Sequence, residues 1–161
     1  MEIAGERSGR RVRPLISIDT NLLLYGQNMD CPQHGRAFQF IGECARRDDV
    51  AICELVLVEL YILLRNPAVL EQPLEPNEAE AVCQTYRRNP RWRLIENAPI
   101  MDRVWGLARE HHFARRRIFD ARIALTLQHH GVVEMATANV RDFDDLGFHR
   151  VWNPLSGPHG V

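Results

Sequence analysis

The segment LVLVELYILL, Leu55 to Leu64, sets one carboxylate, Glu59, among nine apolar or aromatic residues. Its neighbours at helical spacing are Leu55, Val56, Ile62 and Leu63, so no turn of this helix offers Glu59 a polar side. The sequence therefore places Glu59 in the interior. A carboxylate buried there must be neutral, paired or bound to a metal, because an unpartnered buried charge is costly. Three further places carry acids at structurally telling points. Asp19 ends the apolar run PLISID, Asp120 opens FDARIALTL, and Asn139 and Asp142 follow VEMAT in TANVRDF. Turn formation or helix capping would account for each of these alone, but not for Glu59. Convergence on a hard divalent cation, Mg²⁺ or Mn²⁺, which takes oxygen ligands, accounts for all of them. Without such an ion the clustered carboxylates repel one another and some hold protons.

These side chains need elements to bring them together. PLISID, VAIC, WRLIE and VEMAT read as strands, and HRVWNP as a last edge strand. Between them lie helices over HGRAFQFIGECARRD, the Glu59 segment, NEAEAVCQTYRRN, PIMDRVWGLAREHH and FDARIALTLQHHG, and a short helical turn over NVRDFDDLG. RNP stops the Glu59 helix at Pro67, Asn77 is placed to cap the next, Pro99 sits near the start of the following one, and Gly131 ends the last. Strands alternating with helices imply an α/β domain: a central, mostly parallel sheet of four or five strands flanked by helices. Ligands of such sheets bind beyond the carboxyl ends of the strands, where Asp19, Asn139 and Asp142 fall. The expected organisation is an Arg-rich arm over residues 1–13, a domain over 14–155 and a tail over 156–161, with no internal repeat.

The chain has 161 residues, enough for one domain with a real core, and a formal net charge of −1. Near-neutrality argues against holding nucleic acid by bulk charge. All 20 basic residues are Arg, which excludes mechanisms built on a catalytic lysine, such as P-loop and Schiff-base enzymes. No run approaches the roughly 20 apolar residues of a membrane span, and the N-terminus has no apolar signal core, so a cytoplasmic protein is expected. Cys31, Cys44, Cys53 and Cys83 form no CxxC pair; Cys31 and His34 have ligand spacing but no companions. His111, His112, His129 and His130 lie near helix ends and are not read as catalytic.

Taken in order, ISIDTNLLLY, the Glu in LVLVELYILLRNP, the Asp in FDARIALTL and the run TANVRDF resemble the PIN domain, and within it the VapC-type ribonuclease toxins of bacterial toxin–antitoxin pairs. The likeness spans about Leu15 to Pro154. It implies that Asp19, Glu59 and Asp120 are shared acidic metal ligands. It also implies that the fourth acidic position falls at Asn139, so that Asp142 supplies the charge, directly or through water. Asn21 would orient groups around Asp19. The implied activity is Mg²⁺- or Mn²⁺-dependent hydrolysis of RNA by in-line attack of water, leaving a 5′-phosphate and a 3′-hydroxyl. Arg115, Arg116 and Arg117, immediately before Asp120, would reach phosphates flanking the cut, since Arg forks suit phosphate. A homodimer and a small antitoxin covering the active site are implied as partners. Three alternatives stand beside this: an RNA-processing PIN nuclease without antitoxin, an inactive PIN-like binding module, and phosphatase chemistry through Asp19. The last is disfavoured by the missing lysine and by the lack of a second Asp two residues on.

Overall fold

In the computed structural model, which describes residues 13–157, the apolar runs pair as five short strands: β1 Leu15–Ile18, β2 Ala51–Cys53, β3 Arg93–Ile95, β4 Val132–Ala136 and β5 Arg150–Trp152. All the pairings are parallel. One ladder runs β1-β4-β5 and the other β2-β3. A single parallel bridge, Ile16 with Val50, joins them, helped by the Ile16 N–H donating to Asp49 O at 2.9 Å. The spatial sequence is then β3-β2-β1-β4-β5. The chain leaves β1 toward one side of the sheet and returns to its other side as β4, so β1 ends at the switch point where open α/β sheets bind ligands. Register aligns the carboxyl ends: Ile18 faces Ala136, which faces Trp152. Most of the arm and the end of the tail expected from the sequence lie outside the described residues.

Six helices connect the strands: α1 Thr20–Gln27, α2 His34–Cys44, α3 Glu54–Leu64, α4 Pro76–Arg87, α5 Met101–Ala108 and α6 Arg117–His129. Ile16, Ile18, Val50, Ile52 and Met135 of the sheet are sealed by Leu22 and Leu23 of α1, Val56 and Leu60 of α3, and Ala121 and Ala124 of α6. A smaller cluster, Val104, Ile100 and Ala98 against Leu125, fixes α5 on α6. Gly131, at φ +86°, ends α6 in the left-handed conformation that favours glycine. Near the sheet's other end, buried Asp49 is held by both prongs of Arg47 at 2.7 Å.

Four local expectations are corrected. Helix α4 begins at Pro76, not at a cap on Asn77; its N-cap is Glu75, whose N–H donates to Glu78 at 2.8 Å. Proline suits that first helical position because its missing N–H has no helical partner. Helix α5 starts at Met101, two residues after Pro99, and ends at Ala108, short of the histidines. Helix α6 starts at Arg117, so Asp120 lies inside the first turn and is not the cap. Glu59 is exposed, not interior. Helix α3 buries Val56, Leu57, Leu60 and Leu64, and turns Val58 (55% exposed), Glu59 and Ile62 (59%) to the surface. Periodicity failed there because the outward face is itself apolar.

Candidate active site

Asp19 follows the last residue of β1 and is the N-cap of α1, with ψ 152°. Its Oδ1 accepts the N–H of Thr20 at 2.7 Å, and its own N–H donates to Ala136 O at 2.8 Å, tying the end of β1 to the end of β4. Thr137, the first residue past β4, is fully buried, and its hydroxyl donates to Asp19 Oδ2 at 2.6 Å. The Thr137 hydroxyl oxygen in turn accepts the Asn139 N–H at 3.0 Å and Asn21 Nδ2 at 3.3 Å, which uses its one donor and two acceptor positions. Asn21 Oδ1 also accepts the Ala138 N–H at 3.2 Å. Asn21 thus clamps the turn after β4 from the first turn of α1.

Glu59 reaches the same edge from α3, where its Oε2 accepts the Thr20 hydroxyl at 2.7 Å. Asp142 ends a short 3₁₀ turn, Val140–Asp142, whose N-cap is Asn139. Asn139 Nδ2 donates to Asp142 Oδ2 at 2.7 Å, so the amide and the carboxylate three residues on act as one unit. Asp120 projects from the first turn of α6 and is half-buried.

Proton affinities show that these acids share one field. The Asp19 carboxyl is pushed up to about 6, by burial first and then by Glu59 and Asp142, against the pull of the Thr137 hydroxyl and the Thr20 N–H. Asp120 is pushed up to about 7, by burial first and then by Asp142, Asp19 and Glu59, against a weaker pull from Arg117. Two acids that both resist ionisation, through burial first and neighbouring carboxylates second, make a site that gains from a cation. The donors are all oxygen and match a hard divalent ion. Among the described residues no three acidic, His or Cys side chains are already drawn together tightly enough to close on an ion. The residues fit such a cation in kind and charge, as an open cluster that must tighten on it.

The three arginines before Asp120 divide. Arg115 and Arg116 are exposed, while Arg117 is the first residue of α6 and forks onto Asp145. Cys31 and His34 turn to backbone carbonyls, those of Asn28 and Tyr25. Sequence reasoning missed Thr137, the hub of the site, and the contact that Thr20 makes to Glu59. The available signal was a hydroxyl residue directly after β4, at the place that Asp19 holds directly after β1.

The PIN domain profile matches residues 16–149. Ribonuclease VapC24 from two strains of Mycobacterium tuberculosis is 63% identical over 142 residues, covering 88% of this chain and 98% of the relative. The chain is a PIN-domain protein of the VapC type. Solved structures share the fold of this VapC-type chain at lower identity. M. tuberculosis VapC20, described as a sarcin–ricin loop cleaving toxin, aligns with TM-score 0.63 at 19% identity over 83% of this chain and 95% of that one. FitAcB from Neisseria gonorrhoeae aligns with TM-score 0.59 at 18% identity over 89% and 100%. A toxin–antitoxin complex from Klebsiella pneumoniae aligns with TM-score 0.53 at 20% identity over 86% and 97%.

Proposed function

We propose that this VapC-type chain is a divalent-metal-dependent endoribonuclease acting as the toxin of a toxin–antitoxin pair, with residues 14–155 as its nuclease domain. The observation that carries this reading is the gathering of Asp19, Glu59, Asp120 and Asp142 at the carboxyl edge of the sheet, where Glu59 and Asp142 act on both Asp19 and Asp120. Its relatives' ribonuclease description supports the substrate class.

Asp19, Asp120, Glu59 and Asp142 would hold Mg²⁺ or Mn²⁺, with Asn139 steering Asp142. A bound divalent ion supplies charge compensation at the phosphate and acidifies water. Thr137 and Thr20 fix the carboxylates of Asp19 and Glu59. One of these carboxylates would take the proton of the attacking water. In-line attack leaves a 5′-phosphate and a 3′-hydroxyl. Arg115 and Arg116, free at the surface before α6, contact phosphates flanking the cut.

The partners are an antitoxin, as in the toxin–antitoxin complexes that share the fold, and a second copy of the chain. A groove of about 240 Å³ beside Glu59, walled by Val58, Ile62 and Phe119, leaves apolar surface for such contacts. Among the described residues no helix is long and apolar enough to cross a membrane, in keeping with a cytoplasmic site of action.

The test is cleavage of end-labelled total RNA with Mn²⁺, with EDTA and Asp120→Asn controls. Discrete products that need both the ion and Asp120 are expected. A folded, ion-binding protein that leaves all RNA intact would favour the inactive binding module, a reading supported by the neutral Asn139 in the place where the family resemblance implies an acid. A small antitoxin gene beside this one separates the toxin from an RNA-processing nuclease.

A further inference from the structure

Arg117 poses a problem for the site. It is one turn before Asp120 on the same face of α6, and its positive charge reaches both Asp120 and Asp142. Arginine does not give up its charge, and its fork suits a carboxylate as well as a phosphate. Laid onto Asp120 or Asp142, it would neutralise the cluster that a divalent ion needs. It is instead drawn the other way. Nη1 donates to Asp145 Oδ2 at 3.0 Å and Nη2 to Asp145 Oδ1, and the guanidinium lies 5.9 Å from the centre of the Phe113 ring. Among the described residues its buried Nε has no hydrogen-bond partner. Asp145 is 61% exposed and lies on the turn that follows Asp142.

We propose that Asp145 is a positioning residue. It holds the Arg117 guanidinium off the carboxylate cluster, keeps that cluster open to a divalent ion, and parks the cation at the rim where an RNA phosphate passes. The inference rests on the metal-nuclease reading above. Because Asp145 is largely in water, its hold is modest, and an arriving phosphate can take over the fork from Asp145. A latch of this kind separates two tasks that one cation could otherwise set against each other: binding the ion and binding the substrate.

The experiment measures Mn²⁺ affinity of the full chain by calorimetry, and its kcat and KM on an RNA that wild type cleaves. The variants are Asp145→Asn, Asp145→Ala, Arg117→Ala and the Asp145→Ala/Arg117→Ala pair, each checked for folding by circular dichroism. Asp145→Asn keeps the side chain's shape should the alanine variant fold poorly. Loss of the latch should weaken Mn²⁺ binding about fivefold, the scale of a single ion pair near the surface. Arg117→Ala should bind Mn²⁺ at least as tightly as wild type, and the double variant should return to that affinity while cleaving poorly. A salt bridge that merely held α6 in place would weaken Mn²⁺ binding from either end alike. That pattern, or an Asp145 variant with unchanged affinity, overturns the latch. If wild type itself neither binds Mn²⁺ nor cleaves RNA, the metal-nuclease reading fails and the latch with it.

Discussion

Replacing Asp120 by Asn should make the metal-free protein more stable while destroying its activity. Burial and three neighbouring acids raise the Asp120 carboxyl from an ordinary 3.8 to about 7. In the unfolded chain it ionises near the ordinary value. The unfolded state therefore releases this proton at lower pH than the folded state does, and folding stability falls as pH rises through the window from about 4 to about 7. At 1.36 kcal/mol per unit, the penalty at pH 7 is about 4 kcal/mol. Asp120 is only half-buried and Asp19 holds its own proton up to about 6, so screening and shared charge reduce this to about 2 kcal/mol. Asn carries neither the desolvation cost nor the repulsion. For a domain of this size the gain corresponds to about 4–8 °C in Tm. Thermal melts of EDTA-treated wild type and Asp120→Asn should nearly coincide at pH 4 and separate progressively to pH 7, with the variant more stable. Mn²⁺ should then raise wild type selectively and narrow the gap. Melting curves that stay parallel across the pH range, or a variant that is less stable at pH 7, would refute the shared carboxylate field.

Two further outcomes follow from the same contacts. Thr137→Val removes the hydrogen bond that lowers the Asp19 proton affinity, so the acid limb of the Mn²⁺-dependent cleavage profile should move to higher pH; orphaned polar groups should cost about 1–3 kcal/mol in a denaturant titration. An unmoved acid limb would show that the hydroxyl does not tune Asp19. Arg47→Ala leaves buried Asp49 without its two-pronged partner. With Arg47 partly solvated, a loss of about 2 kcal/mol is expected at neutral pH. The Arg47 fork holds the Asp49 carboxyl below its ordinary value, so that loss should shrink on acidification below pH 4; a deficit that stays constant at low pH would count against the pair.

Much of this protein could be read along the chain. Strand and helix alternation is a local property, written in apolar runs and turn residues, and it led to the parallel α/β sheet. Asp19, Asn139 and Asp142 were placed correctly at strand ends because a strand's end is a local event. The acids stood out because a carboxylate inside an apolar segment, or directly after a strand, is conspicuous in one dimension. Other features depended on which surfaces meet. Glu59 was expected inside because every neighbour is apolar, yet whether an apolar face is covered depends on what packs against it, and here nothing among the described residues does. Asp120 looked like a helix cap until the helix was seen to begin at Arg117. The Thr137 hydroxyl meets Asp19 across 118 residues, and the Thr20 hydroxyl meets Glu59 across 39. Those distances are closed by the register of β1 on β4 and by the packing of α1 on α3. The donor types and their approximate places were thus determined by sequence, since residue chemistry and backbone preference act over a few positions. Which hydroxyl holds which carboxylate, and which acid draws Arg117 aside, was decided only by tertiary structure, because a hydrogen bond or an ion pair depends on tenths of an ångström between segments that the chain keeps far apart.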